Sequence, residues 1–161
     1  MNTIIYLIRH SQAMKMEDYK YEDSLQLKNE KNVLSVEGER KAKILSKIDE
    51  LKNIDIIFSS SYARAMSTAK YIANENNLNI FIDEEFGERK FGINNWDEKP
   101  QDFEQKQFED IDYKIGNGES LREVGERTYN ELMKIVELNE NKRIVIVSHA
   151  TAITNLFRKI G

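Results

Sequence analysis

The chain of 161 residues contains no cysteine. That excludes disulfide frameworks, thiolate catalysis and cysteine-ligated zinc or iron–sulfur sites. Proline is nearly as scarce, with Pro100 the only one, and the seven glycines form no glycine-rich phosphate loop. There is no serine-hydrolase elbow. Dense runs of Lys or Arg are also missing, and 24 Lys+Arg against 28 Asp+Glu give a net charge of −4. This balance argues against nucleic-acid binding. Long apolar runs are absent too. The N-terminal stretch reaches Arg9 after a very short apolar segment, too little for a signal peptide or for a membrane span of about 20 residues. The expectation is a cytoplasmic protein without a membrane partner. Hydrophobic residues at 40% and charged residues at 32% describe a folded globular chain. Its length suits one domain over residues 1–161, hiding about 70% of the unfolded surface.

Three short apolar runs rich in β-branched residues, Ile4–Ile8, Ile54–Phe58 and Ile144–Val147, read as buried parallel strands, with Asn79–Ile82 a weaker fourth. Helical spacing links Ile44, Leu45, Ile48 and Leu51 after Ser35, and Ala65, Ala69, Ile72 and Ala73 after Tyr62. Ser120-Leu121-Arg122-Glu123 is a capping box. Its apolar face continues through Val124, Thr128, Leu132, Ile135 and Val136, and a last helix is expected from about Ala150 to Ile160. Strands alternating with helices predict an α/β three-layer sandwich with a mostly parallel central sheet flanked by helices. Met14–Val33 and Asp83–Gly118 read as long excursions beside it, where function often resides. Trp96 is expected to join Phe86 and Phe91 in a loop cluster.

Only two histidines occur, and each follows a predicted strand: Arg9-His10-Ser11 and Ser148-His149-Ala150. The middle strand runs into Ser59-Ser60-Ser61, with Arg64 in the helix after it. Ligands of open α/β sheets bind beyond the carboxyl ends of the strands, so these side chains have a physical reason to converge. Two guanidiniums match the oxygens of a phosphoryl group, and two imidazoles add a nucleophile and a further contact. A metal centre is the competing reading of paired histidines. The arginines would oppose a cation there, and no carboxylate cluster accompanies them.

Six stretches carry a family resemblance. Leu7-Ile8-Arg9-His10 looks like the opening signature of the histidine phosphatase superfamily, the phosphoglycerate mutase-like fold. Leu34-Ser35-Val36-Glu37-Gly38 with Ala42, and Ser59-Ser60-Ser61-Tyr62-Ala63-Arg64-Ala65 with Thr68-Ala69, are similar to its next two motifs. Glu88-Arg89-Lys90-Phe91-Gly92 resembles "E-R-x-x-G", Gly118-Glu119-Ser120 resembles "G-E-S", and Val147-Ser148-His149 resembles "V-S-H-G".

The resemblance implies a metal- and cofactor-independent phosphomonoester hydrolase acting on a small phosphorylated metabolite through phosphohistidine. His10 would be the nucleophile, Glu88 the acid that protonates the leaving oxygen, and His149 a further phosphate contact. Arg9 and Arg64 would hold the phosphoryl oxygens, with Ser11 and Ala150 contributing beside them. Glu119 is the next carboxylate in line, and Ser120 is read as a helix cap. Ser11 and Ala150 stand where the family usually has glycine, Ser61 where it has proline, and Ala13 and Met16 where many members carry threonine and asparagine. Relatives usually continue some tens of residues past the last motif, so a domain short at its C-terminus is expected. The alternatives are a phosphoglycerate mutase and a non-catalytic phospho-ligand binder. Mutases usually carry a long insertion between the fourth and fifth motifs. Only thirty residues lie between Glu88 and Glu119 here.

Overall fold

The computed structural model describes residues 2–15 and 24–161. Met16 and most of the first half of the Met14–Val33 excursion lie outside the described residues. The strands are β1 (Ile4–Arg9), β2 (Ile56–Ser59), β3 (Ile80–Ile82) and β4 (Arg143–Ser148). The helices are α1 (Leu25–Lys31), α2 (Val36–Leu45), α3 (Ala63–Asn76), α4 (Phe103–Glu109), α5 (Leu121–Leu138) and α6 (Ala150–Ile160). All strand pairs are parallel, in the order β1-β4-β2-β3.

Alternation along the strands builds the two cores. Tyr6, Ile8, Ile57, Val145 and Val147 face one side, where Ala65, Ala69, Ile72 and Ala73 of α3 cover them. Ile5, Leu7, Ile56, Phe58, Ile144 and Ile146 face the other, against Leu132 and Ile135 of α5 and Leu156 of α6. Period-2 side chains thus feed both helical layers from one sheet. The predicted three-layer sandwich is the observed one. Ser120 closes its capping box with Glu123, and α6 matches its predicted span.

Some expectations shift. Only β4 is buried almost throughout; β1 is partly exposed, with Ile4 at 41%, because β1 and β3 are edge strands with a neighbour on one side. The β3 residues Phe81 and Ile82 are exposed for the same reason. Helix α2 buries Gly38 and Ala42 and stops at Leu45, so Ile44 and Ile48 face outward; Leu51 reaches the core from a separate 3-10 turn. The excursions are not plain loops: the first carries α1, the second carries α4 and two 3-10 turns. Phe86 leaves the loop cluster for the core beneath α5 and α6, while Phe91 stacks edge-on with Trp96.

Two glycines of the recognised motifs are steric requirements. A Cβ on Gly38 would sit 1.9 Å from the Gln12 carbonyl oxygen, so α2 can lie against the strand-end loop only with glycine there. Gly92 has φ of +77°, and its Cβ would meet the Ile115 oxygen at 2.0 Å.

Candidate active site

Register brings the site together. Arg9 pairs with Ser148 and Ser59 with Val147. His10 therefore emerges level with His149, and Ser60 one step behind them. The ladder continues past the strand ends, with His10 N donating to Ser148 O at 3.0 Å and Ser60 N to Val147 O at 2.9 Å. The two imidazole centroids stand 5.1 Å apart.

His10 is oriented at both ring nitrogens. Nδ1 donates to the Ser11 carbonyl at 2.6 Å, and Nε2 accepts from Arg64 Nε at 3.1 Å. The accepting nitrogen carries the lone pair, so the ring is a neutral nucleophile pointing at Arg64. Burial chiefly, opposed by the Ser11 bond and helped by the charges of Arg64 and Arg9, lowers the pKa of His10 to about 4. Arg64 is buried, with Nη1 on the Asn29 carbonyl of α1 at 2.5 Å. Arg9 is exposed, and its guanidinium has no hydrogen-bond or ion-pair partner among the described residues. It is free to take an anion.

His149 is fully buried at the start of α6, edge-on to Tyr62 at 4.6 Å. Its Nε2 contacts Ser60 Oγ at 2.7 Å, while Nδ1 is buried without a partner among the described residues. Burial, then the positive charge of Arg64, pushes its pKa far down.

Glu88 lies on the first turn of α6. Its Oε1 accepts from Ala152 N at 3.2 Å and Arg89 N at 2.9 Å, and Oε2 accepts from Thr151 N at 3.2 Å. The carboxylate thus satisfies two of the amides a helix N-terminus leaves free, and Oε2, with one donor, keeps capacity for another partner. Ala150 is the first residue of that helix.

Ser11 is engaged on both its donors. Its amide goes to Thr68 Oγ1 at 2.9 Å and its hydroxyl to the Gly38 carbonyl at 2.7 Å. In this state it braces α2 and α3 and offers no free donor to a phosphate. Glu119 is likewise committed. Arg127 grips it with Nε at 2.7 Å and Nη2 at 2.9 Å, and Lys90 N donates to it at 3.0 Å. Burial opposes ionisation of Glu119, yet the Arg127 bonds prevail and hold its pKa down. Ser120 is the helix cap it was expected to be.

Sequence reading missed Arg127. Besides Glu119, it donates to the carbonyls of Glu85 at 2.6 Å and Glu88 at 3.3 Å, tying α5 to the loop that presents Glu88. Nothing in a helical sequence distinguishes such an arginine from a solvated one. A cavity of about 200 Å³ opens between Tyr62, Glu88, Lys90 and Arg127, with Glu30 and Glu84 at its sides. Among the described residues, no three His, Asp or Glu side chains gather at metal-binding spacing. No described helix is long and apolar enough to cross a membrane.

The low pKa of His10 has a thermodynamic consequence. Between pH 6.5 and about 4 the unfolded chain binds a proton at His10 that the folded chain refuses. Stability from this group is present above pH 6.5 and is lost as pH falls. The slope is at most about 1.4 kcal/mol per pH unit, and the ring's partial exposure brings the sum to roughly 2 kcal/mol. Between pH 7 and 4.5 the urea midpoint of wild type should fall further than that of His10→Asn. A constant gap would show that His10 is not held neutral by the fold.

Two histidines and two arginines thus gather at the carboxyl edge of a parallel sheet, with the Glu88 carboxylate on the α6 N-terminus that follows His149. The sequence model of the histidine phosphatase superfamily (branch 1) matches residues 5–161. The chain belongs to that superfamily. It is 30% identical over 159 residues to the uncharacterized phosphatase PhoE of Bacillus subtilis, covering 99% of this chain and 78% of that protein. The probable phosphoglycerate mutase GpmB of Escherichia fergusonii is 28% identical over 157 residues, covering 92% of this chain and 70% of its own length. Among solved structures, a phosphoserine phosphatase mutant from Entamoeba histolytica in complex with phosphoserine superposes with a TM-score of 0.75 at 26% identity, over 96% of this chain and 78% of that one. A mycobacterial glucosyl-3-phosphoglycerate phosphatase gives 0.78 at 20% identity, over 96% and 77%.

Proposed function

We propose that residues 1–161 act as one cytoplasmic phosphomonoesterase unit that transfers the phosphoryl group of a small metabolite to His10 Nε2 and then to water. The observation that carries this reading is the pair of bonds on His10. A carbonyl fixes the proton on Nδ1, and a guanidinium sits on the lone pair of Nε2, where the phosphoryl oxygens must arrive. Phosphoryl transfer is catalysed mainly by positioning and by compensating equatorial charge. Arg64 is already aimed and Arg9 is free. The His149 ring and the Ala150 amide at the first position of α6 complete the phosphoryl pocket, while the next two amides, of Thr151 and Ala152, serve Glu88. Ser11 supports it from behind. Glu88 Oε2 gives its proton to the leaving oxygen as the P–O bond breaks, and the carboxylate left behind takes one from the water that then attacks the phosphohistidine. An overall acidic chain favours a small substrate over nucleic acid, and the short segment between Glu88 and Glu119 favours hydrolysis over mutase chemistry.

Rapid acid-free quenching with labelled substrate should trap a base-stable, acid-labile phosphoenzyme. Exhaustive EDTA should leave the rate of p-nitrophenyl phosphate hydrolysis unchanged, because arginines neutralise the transferring group. Label on serine or aspartate, or activity lost to EDTA and restored by a divalent ion, would overturn the reading.

A further inference from the structure

The hydroxyl of Ser60 makes the only hydrogen bond to the second histidine's Nε2 among the described residues. Ser60 and His149 are both fully buried. The Tyr62 amide donates to Ser60 Oγ at 3.2 Å, which uses one of the oxygen's acceptor positions. The remaining contact is His149 Nε2 at 2.7 Å. Two arrangements satisfy that distance. If the ring donates from Nε2, the serine proton is left buried with no acceptor. If the serine donates, both atoms are satisfied and the ring proton must sit on Nδ1. The first arrangement leaves two buried groups unmet, the serine proton and the Nδ1 lone pair, and the second leaves only the Nδ1 proton, which an incoming anion can take, so the second prevails.

The consequence falls on the free side of the ring. Among the described residues Nδ1 of His149 is buried and unpartnered, on a ring whose centroid stands 5.1 Å from that of His10 and which feels the Arg64 charge. A bare lone pair there would repel a phosphoryl oxygen; an N–H would bind it. We propose that Ser60 is a positioning residue that holds His149 in the neutral Nδ1–H tautomer and so makes it a hydrogen-bond donor to the phosphoryl group. This rests on the reading of the site given above. The two imidazoles are then set to opposite tasks in the same tautomer. A carbonyl accepts from Nδ1 of His10 and exposes a nucleophilic Nε2. A hydroxyl donates to Nε2 of His149 and exposes a donating Nδ1.

The chain has only two histidines, so nitrogen-15 spectra of histidine-labelled protein resolve both rings. In wild type at neutral pH, His149 Nε2 should resonate as an unprotonated nitrogen and Nδ1 as a protonated one, with Nδ1 shifting when inorganic phosphate is added. Ser60→Ala should move the proton to Nε2 in part or whole and lower kcat on p-nitrophenyl phosphate roughly 10- to 100-fold. That is just below the usual loss for an aimed donor to developing charge. Ser60→Thr, which keeps the hydroxyl, should retain the wild-type tautomer. Ser59→Ala removes a neighbouring buried bond to the Ser60 carbonyl and should leave both tautomer and kcat as they are. A wild-type spectrum with the proton on Nε2 overturns the proposal even if no Ser60 variant folds. So does a Ser60→Ala protein with unchanged tautomer and kcat. Absence of all phosphatase activity would instead strike the catalytic reading, while the wild-type spectrum still decides the tautomer.

Discussion

His10→Ala should lower kcat on any phosphomonoester by roughly 10⁴-fold or more, the scale on which a covalent nucleophile matters. It should also abolish the phosphoenzyme. Among the described residues, the neighbouring candidates are all committed elsewhere. Glu88 is held by three backbone amides, and Ser60 is buried against His149. Ser11 is tied to Gly38 and Thr68. The fold should tolerate the change, since His10 is half-buried and the Arg64 guanidinium keeps its bond to Asn29. Circular dichroism and phosphate release measured on the same preparation separate the two effects. A folded His10→Ala enzyme that still turns over would remove the nucleophile assignment, whatever the family pattern implies.

Glu88→Gln should produce a loss whose size depends on the leaving group. An alkyl phosphate departs as a strongly basic alkoxide and needs a proton as the P–O bond breaks. p-Nitrophenolate hardly needs one. A positioned acid contributes about 10²–10⁴-fold, or roughly 3–5 kcal/mol of barrier, so the deficit should appear on the alkyl ester and largely vanish on the aryl ester. The substitution also has a structural cost. One side-chain oxygen becomes an NH₂ facing an α6 amide, a change comparable to losing a helix cap at about 1 kcal/mol. That cost is the same for both substrates and does not imitate the leaving-group effect. Glu84 and Glu85 are exposed, and their glutamine variants should show no such dependence; Arg127 binds only the main-chain carbonyl of Glu85. Equal losses on both substrates would make Glu88 a brace for α6 alone. The sequence puts Glu119 next in line for the acid, but its grip on Arg127 and Lys90 N leaves it a poor proton donor.

Much of this protein was legible before any coordinates. Short β-branched runs alternating with helical spacing suffice for a covered parallel sheet, because strand and helix periods are local properties of the chain. The capping box needed only Ser120 and Glu123, three residues apart. The placement of both histidines at strand ends followed from the same local pattern, and parallel pairing alone dictates that strand ends share one edge. What a linear reading could not supply were relations between residues distant in the chain. Which strands lie at the edge depends on the order β1-β4-β2-β3, so the exposure of Ile4, Phe81 and Ile82 was not foreseeable from their hydrophobicity. Phe86 and Phe91 look alike in sequence, yet only packing sends one to the core and the other to Trp96. Arg127 reads as an ordinary helix cation until Glu119 and the carbonyls of Glu85 and Glu88 surround it. The tautomers follow the same rule. An imidazole's composition permits either, and the partner that chooses between them is a single residue away for His10 and 89 residues away for His149. Sequence determined which chemical groups the site has; the tertiary structure decided which of their atoms are free to act, because hydrogen-bond partners are chosen in space.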